Sequence, residues 1–311
     1  MFIYLLEDLE VGILSTNNVL LTGIFPTIPT PFNVDGSINI SKFQKNLLRN
    51  RDYCSGYVVH GSNGEAVFLT PSERILLVQK SRELVSREHL LIVGSGMEST
   101  SDTINLTKKI ADSGADAVLI LTPHFYKKSF SLVALERYYN DVANATAVPI
   151  ILYNAPVFTS IDLPVTVVQN LANHPNIIGI KESTGDKHKI KQMVDTTPDD
   201  FAVLTGSFTR LLDGLTVGAS GGILGMANIV AKHLSEILDA VSDGNLRLAH
   251  DIHQFLKPLS TEMSRKCGIS GLKAVLNIID ECGGEVRAPL LPLTLSDKEE
   301  LMLILRRYDL T

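Results

Sequence analysis

The sequence predicts an α/β fold, a (β/α)8 TIM barrel followed by a C-terminal helical extension. The first observation is that about eight short apolar runs recur at spacings of roughly 20 to 35 residues, the pitch of βα units. The second is that these runs are continuously apolar, as strands are when both faces of a parallel sheet are buried. The third is that helix start signals stand between the runs.

The predicted strands follow one another through the first 224 residues. In chain order they cover residues 23–30, 56–59, 90–94, 117–121, 149–153, 177–181, 202–205 and 221–224. Because no dinucleotide-binding fingerprint follows the first strand, eight such units favour a closed barrel over an open doubly wound sheet.

Helix start signals support the same alternation. Ser41, Thr70 and Ser99 each stand before an amphipathic stretch, and Pro71 and Glu73 strengthen the second signal. After the eighth strand only helices are predicted, over residues 228–241, 245–262, 269–279 and 296–307. We therefore expect an N-terminal extension (1–22), the barrel (23–227), and a segment (228–311) with the last barrel helix and a helical extension.

Composition narrows the possible partners. The 28 Lys and Arg residues against 34 Asp and Glu give a net charge of −6, so no basic surface for nucleic acid is expected. No apolar run approaches the roughly 20 residues that span a bilayer, so no membrane role is expected. Three dispersed cysteines (Cys54, Cys267 and Cys282) and the lack of any basic residue before Lys42 favour a cytoplasmic protein.

Lys181 is the most informative polar residue at a strand end, where TIM barrels carry their reacting groups. It closes the apolar run Asn-Ile-Ile-Gly-Ile, where a lysine is costly unless it is paired or functional. One interpretation is a lysine that reaches solvent or pairs with Glu182 or Asp186. A second interpretation is a nucleophile, because burial disfavours the charged form of an amine and the neutral amine attacks carbonyls to form Schiff bases.

Further strand ends carry candidates as well. Tyr153 ends the fifth strand and could either pack in the core or transfer protons. The turn Gly-Ser-Asn-Gly-Glu (61–65) is predicted to place Ser62, Asn63 and free backbone N–H groups at a helix N-terminus, which suits a carboxylate. His60 and His124 also follow strands, but no third metal ligand is evident, so no metal is predicted.

Together these motifs resemble the dihydrodipicolinate synthase/N-acetylneuraminate lyase family of class I pyruvate-type aldolases. The resemblance rests on Thr-Pro-Phe (30–32), the 61–65 turn, Tyr-Asn-Ala-Pro (153–156), Gly-Ile-Lys-Glu-Ser-Thr-Gly-Asp (179–186) and Gly-Gly-Ile (221–223). It implies a TIM barrel that uses pyruvate without a cofactor and assembles as a homodimer or homotetramer.

The resemblance also implies roles for single residues. Lys181 corresponds to the Schiff-base lysine and Tyr153 to the proton-relaying tyrosine. The substrate-binding positions correspond to Ser62, Asn63, Ser183, Gly206 and Ile223. Phe125 stands where the family commonly has a second relay tyrosine, and Tyr126 beside it is a possible substitute.

Within the family, the pattern is most similar to 4-hydroxy-2-oxoglutarate aldolases, which implies cleavage to pyruvate and glyoxylate. Dihydrodipicolinate synthases usually carry two threonines at positions 62 and 63, and an arginine shortly after the Tyr-Asn-x-Pro motif, where residues 157–160 have none. Glu182 is typical of the synthases, so dihydrodipicolinate synthase activity remains an alternative. The same residues are also compatible with a 2-keto-3-deoxy sugar-acid aldolase, a metal-dependent aldolase or a non-catalytic barrel that binds a 2-oxo acid.

Overall fold

The structure is a computed structural model, and it describes residues 19–265 and 268–310. Most of the predicted N-terminal extension and Cys267 lie outside the described residues. Eight parallel strands pair in the order β1-β8-β7-β6-β5-β4-β3-β2. They are Gly23–Pro26 (β1), Gly56–Val59 (β2), Leu90–Gly94 (β3), Ala117–Leu121 (β4), Ile150–Asn154 (β5), Ile177–Glu182 (β6), Ala202–Thr205 (β7) and Gly221–Leu224 (β8).

The sheet closes on itself between its first and last members. Thr27, just after β1, forms a parallel bridge with Val58 of β2, and Ile28 donates its N–H to the Val58 carbonyl at 2.8 Å. The predicted TIM barrel is therefore confirmed. The barrel interior is filled by apolar side chains that include Phe25, Val58 and Ile223.

Helices surround the barrel in the alternation that the sequence predicts. They are Ile40–Leu48 (α1), Pro71–Arg82 (α2), Thr100–Asp112 (α3), Leu132–Ala145 (α4), Pro156–Thr159 (α5), Val165–Leu171 (α6), Lys187–Thr196 (α7), Leu211–Leu215 (α8) and Ala227–Ser242 (α9). Thr70 and Ser99 cap α2 and α3 as predicted, whereas α1 is capped by Asn39 instead of Ser41.

Three more helices follow α9. They are Leu246–Arg265 (α10), Ile269–Asp280 (α11) and Leu295–Leu305 (α12). Their apolar faces share one buried cluster with the barrel elements α8, α9 and β8, so the extension packs against one side of the barrel. Among the described helices, none combines the length and apolar character that crossing a bilayer requires.

Candidate active site

Lys181 lies inside the barrel at the carboxyl end of β6. It is in register with Tyr153 of β5 and Leu204 of β7, both of which belong to the apolar interior. Only 3% of Lys181 is exposed. Its Nζ lies 4.1 Å from the centroid of the Tyr153 ring, within cation–π distance. The interpretation of Lys181 as a lysine that reaches solvent is therefore wrong.

The interpretation that pairs Lys181 with Glu182 or Asp186 is wrong as well. Side chains alternate along a strand, so Glu182 points away from the barrel interior. There it accepts hydrogen bonds from Asn154 Nδ2 at 2.7 Å and from the Thr184 N–H at 2.6 Å, and it forms an ion pair with Lys189. Asp186 caps α7. Within the described ranges, no hydrogen bond or ion pair engages the Lys181 amine.

Tyr153, whose ring lies beside this amine, brings its hydroxyl close to that of Ser62. Tyr153 is 5% exposed, and its hydroxyl lies 3.4 Å from the Ser62 Oγ, with either group able to donate. Ser62 itself is exposed at the mouth of the barrel. The structure thus joins three of the predicted residues from β5, β6 and the turn after β2.

The turn that carries Ser62 differs from its prediction. Ser62–Gly64 forms a single turn of 3-10 helix and a second one follows, while α2 begins only at Pro71. The reason is that Glu65 adopts a left-handed conformation with φ 52°, which no α-helix can continue. The helix starts later, where the capping box of Thr70 and Glu73 satisfies its first N–H groups.

The turn nevertheless has the features of an anion site. In the part of the chain that the structure describes, no acceptor engages the backbone N–H groups of Ser62 and Asn63. Asn63 Nδ2 donates to Thr27 Oγ1 at 2.6 Å, and Thr30 Oγ1 donates to the Gly64 carbonyl at 2.8 Å. These two threonines follow β1, and sequence reasoning did not assign them a role in supporting the turn.

The remaining substrate-binding candidates line the same end of the barrel. A Cβ at Gly206 would lie 1.9 Å from Ser183 Oγ and 3.2 Å from Lys181 Cε, so the lysine side chain passes directly over this glycine. The Ser183 hydroxyl is buried without a hydrogen-bond partner among the described residues, and Ile223 is fully buried in the barrel interior. A cavity of about 220 Å³, lined partly by Asn63 and Gly206, borders the site on the side of the helical extension.

The two aromatic residues after β4 lie apart from this cluster. Phe125 and Tyr126 are 75% and 69% exposed, and their rings pack edge to face with the ring centroids 5.0 Å apart. Within the described chain no hydrogen bond connects Tyr126 with Tyr153 or Ser62. The arrangement by itself does not bring Tyr126 to the other site residues.

The two strand-end histidines also occupy separate places. His60 is buried, and burial lowers its pKa to about 3, while His124 Nδ1 lies 3.0 Å from Glu98. Among the described residues, no three His, Cys, Asp or Glu side chains are grouped so that they could hold a metal ion.

The chain is similar to known proteins over most of its length. The profile of the dihydrodipicolinate synthetase family matches residues 20–308. A 4-hydroxy-tetrahydrodipicolinate synthase of Thermodesulfovibrio yellowstonii is 33% identical over 292 residues, which cover 94% of this chain and 99% of the relative.

Solved structures agree with the sequence relatives. A dihydrodipicolinate synthase of Bacillus anthracis superposes with a TM-score of 0.88 at 29% identity, covering 92% of this chain and 97% of its own. A prophage protein of E. coli K12 from the same family, solved in complex with pyruvate, superposes with a TM-score of 0.88 at 27% identity and covers 94% of this chain and 100% of its own.

Proposed function

The chain belongs to the dihydrodipicolinate synthetase family, and from this membership we propose that Lys181 is the Schiff-base lysine of an aldolase that cleaves a 4-hydroxy-2-oxo acid. Members of the family are pyruvate-dependent carbon–carbon lyases, and this chain is one of them. The observation that carries the assignment of Lys181 is its buried amine, unpaired within the described residues, beside the Tyr153 ring and within the barrel mouth.

The proposed reaction begins with the carboxylate of the substrate on the Ser62 and Asn63 turn. The lone pair of the Lys181 amine attacks the C2 carbonyl, Tyr153 gives its phenolic proton to the departing hydroxyl, water leaves, and an iminium forms. Tyr153 accepts the proton of the C4 hydroxyl, the C3–C4 bond breaks, and its electrons move into the iminium to give an enamine. The aldehyde leaves, C3 takes up a proton, and hydrolysis of the imine releases pyruvate and restores the amine.

For the aldehyde product we propose glyoxylate, formed from 4-hydroxy-2-oxoglutarate. The support is the serine and asparagine at positions 62 and 63 and the lack of arginine in residues 157–160. In this loop the hydroxyl of Ser160 accepts a hydrogen bond from Lys127. We propose that this lysine binds the second carboxylate of the substrate.

Synthesis of a dihydrodipicolinate precursor from pyruvate and aspartate semialdehyde is the second candidate. It is favoured by the names of the sequence relatives and by Glu182. Both reactions share the pyruvate enamine on Lys181, so they differ only in the aldehyde that reacts with it.

Covalent trapping tests the shared chemistry. With pyruvate present, borohydride should leave a reduced adduct on the peptide that contains Lys181, as read by mass spectrometry, and Lys181→Met should carry none. Lys187→Met is the matched control, because this exposed lysine begins α7 outside the barrel and its loss should leave trapping unchanged. An unmodified wild-type chain would refute the Schiff-base proposal, and cleavage that chelators abolish would support a metal-dependent aldolase.

A substrate panel tests the finer proposal. Pyruvate release or consumption should be measured with 4-hydroxy-2-oxoglutarate, 2-keto-3-deoxy sugar acids, N-acetylneuraminate, and pyruvate with aspartate semialdehyde. We expect the highest kcat/KM for 4-hydroxy-2-oxoglutarate. Preference for aspartate semialdehyde would establish the synthase instead, and trapping without any turnover would indicate a non-catalytic 2-oxo acid binder.

For assembly we propose a homodimer or a dimer of dimers in which a second copy covers the loops after β4 and β5. Phe125, Tyr126, Val157 and Phe158 are large apolar or aromatic side chains with more than half of their surface exposed, on loops that the Lys127–Ser160 hydrogen bond joins. Exposed apolar patches of this kind mark interaction sites. We propose that Tyr126, on the loop after β4, is the second tyrosine of the proton relay that includes Tyr153.

A further inference from the structure

Glu65 ends the Ser62–Asn63 turn in a conformation that needs support. Its φ of 52° is left-handed, a region that non-glycine residues rarely adopt. Its N–H donates to the Ser62 carbonyl at 3.1 Å, which closes the 3-10 turn. Glu65 is 2% exposed, so its carboxylate is buried and requires partners. The position of the turn therefore depends on what holds the Glu65 side chain.

The partners of Glu65 come from the helical extension. Glu65 Oε1 accepts a hydrogen bond from Lys273 Nζ, and Oε2 accepts one from the backbone N–H of Arg287 at 2.9 Å. Lys273 lies on α11 and is only 2% exposed; its Nζ also donates to the Glu285 carbonyl at 2.6 Å. We call Glu65, Lys273 and Arg287 the Glu65 clamp.

The Arg287 side chain extends the clamp to two neighbouring loops. Its guanidinium donates to the Gly36 carbonyl after β1, to the Phe68 carbonyl after the turn, and to both carboxylate oxygens of Glu73 at 2.7 and 2.9 Å. The hydrogen bonds from Arg287 are the main reason that the pKa of Glu73 falls to about 2. The extension thus holds the loop after β1 and the segment that follows Glu65, as well as Glu65 itself.

We propose that Lys273 is a positioning residue for 2-oxo acid binding: through Glu65 it holds the Ser62–Asn63 turn in the geometry that receives the substrate carboxylate. The proposal rests on the proposed function, in which this turn binds that carboxylate. It assigns the helical extension a part in substrate affinity, although Lys273 touches neither Lys181 nor Tyr153 in the described contacts.

The energetics favour a movement of the turn when the clamp is broken. Removing one member of a buried ion pair leaves an uncompensated charge, which is strongly destabilising where it stands. Glu65 can relieve this by taking up a proton or by turning its carboxylate toward water. Because Glu65 also closes the turn through its backbone, that rotation shifts Ser62 and Asn63. Lys181 and Tyr153 lie on strands and keep their places.

Lys273→Met tests this separation of binding from chemistry. The concentration of pyruvate that gives half-maximal borohydride trapping should rise about tenfold, because the displaced turn loses a hydrogen bond to the charged carboxylate of pyruvate. At saturating pyruvate the extent of trapping on Lys181 should equal that of the wild type. An unchanged half-saturating concentration would overturn the proposal, even if the melting temperature falls.

Two further variants separate positioning from folding. Lys273→Met combined with Glu65→Gln removes both charges and leaves no lone buried carboxylate to turn toward water, so it should fold and bring the half-saturating concentration back toward the wild-type value. A rise equal to that of Lys273→Met alone would show that Lys273 does not act through Glu65. Ser270→Ala, on the same helix, removes only the partly buried hydrogen bond from Ser270 Oγ to the Leu291 carbonyl and should keep wild-type affinity. An equal loss of affinity in Ser270→Ala would refute a specific role of Lys273.

The pH dependence of the half-saturating pyruvate concentration distinguishes a positioning role of Lys273 from a purely structural one. Burial lowers the pKa of Lys273 to about 8; Glu65 and Glu285 oppose the shift and Arg287 adds to it. Above this pKa the wild-type clamp loses the positive charge of Lys273. The ratio of half-saturating concentrations between Lys273→Met and the wild type should therefore fall toward one as the pH rises from about 7 to about 9, and a constant ratio would contradict the proposal.

Different trapping results would refute the proposed function and the proposed role of the Glu65 clamp. If wild-type protein shows no trapping with pyruvate at any concentration, the Schiff-base function is wrong. If wild-type protein is trapped on Lys181 and Lys273→Met is trapped with the same concentration dependence, only the role of the Glu65 clamp is wrong.

Discussion

At the level of single residues, the space around Lys181 is set by Gly206. The ideal Cβ position at Gly206 lies 1.9 Å from Ser183 Oγ and 2.9 Å from Ser183 Cβ. An alanine there cannot be accommodated by rotation of the serine alone. The lysine, whose Cε lies 3.2 Å away, would also have to move.

We therefore expect Gly206→Ala to slow trapping of pyruvate by roughly tenfold to a hundredfold, because small displacements of a reacting group are costly. The initial rate of adduct formation at saturating pyruvate measures this effect. Gly244→Ala is the control: its Cβ would meet no atom within 4 Å, so only local strain is introduced. A wild-type trapping rate in Gly206→Ala would show that the lysine tolerates the shift.

The sequence indicated which strand-end residues are candidates for the site, but it did not indicate the residues that support them. Lys181 and Tyr153 could be singled out because each closes an apolar run. Thr27 could not, because a threonine in a predicted strand is ordinary and its contact with Asn63 spans 36 residues. The Thr-Pro-Phe motif at 30–32 was the only signal near it, and it gave no indication of the bonds to the turn.

At the level of elements, the strand bounds follow the predictions closely, while the connection after β2 does not. Local apolar runs define strands, and all the carboxyl ends except that of β1 lie within one residue of their predicted positions; β1 ends four residues early, at Pro26. The turn after β2 depends on the left-handed Glu65, which periodicity does not reveal. Its side chain is held by residues more than 200 positions away.

The start of α2 gives a test at this scale. Thr70 Oγ1 accepts the Glu73 N–H, and Glu73 Oε2 accepts the Thr70 N–H at 2.8 Å. Thr70→Ala should lower the free energy of unfolding by about 1 kcal/mol, the usual value of such a cap. Urea denaturation measures it, and Thr196→Ala in the exposed last turn of α7 should change it by less than about 0.5 kcal/mol. Equal effects of the two would argue against a stabilising cap.

At the level of the whole molecule, the loops after β4 and β5 predict the assembly. In light scattering coupled to size-exclusion chromatography, the wild type should have the mass of two or four chains. Phe125→Asp combined with Val157→Asp should lower that mass at least twofold, because a charge in a buried apolar interface is costly. Val34→Asp, a change at an isolated residue that is 96% exposed, should not. A wild-type mass of one chain would refute the proposal.

The sequence by itself determined the barrel, the order of its elements, the family and the candidate pair of Lys181 and Tyr153. These follow from local apolar periodicity, from caps and from motifs that lie within a few residues of one another. Only the tertiary structure decided that Glu182 turns away to Lys189, that the 61–65 turn is not the start of an α-helix, and that Lys273 reaches Glu65 across 208 positions. Such contacts depend on how the closed barrel and its helical extension pack. Local patterns in the chain do not show which residues meet when they are far apart in sequence.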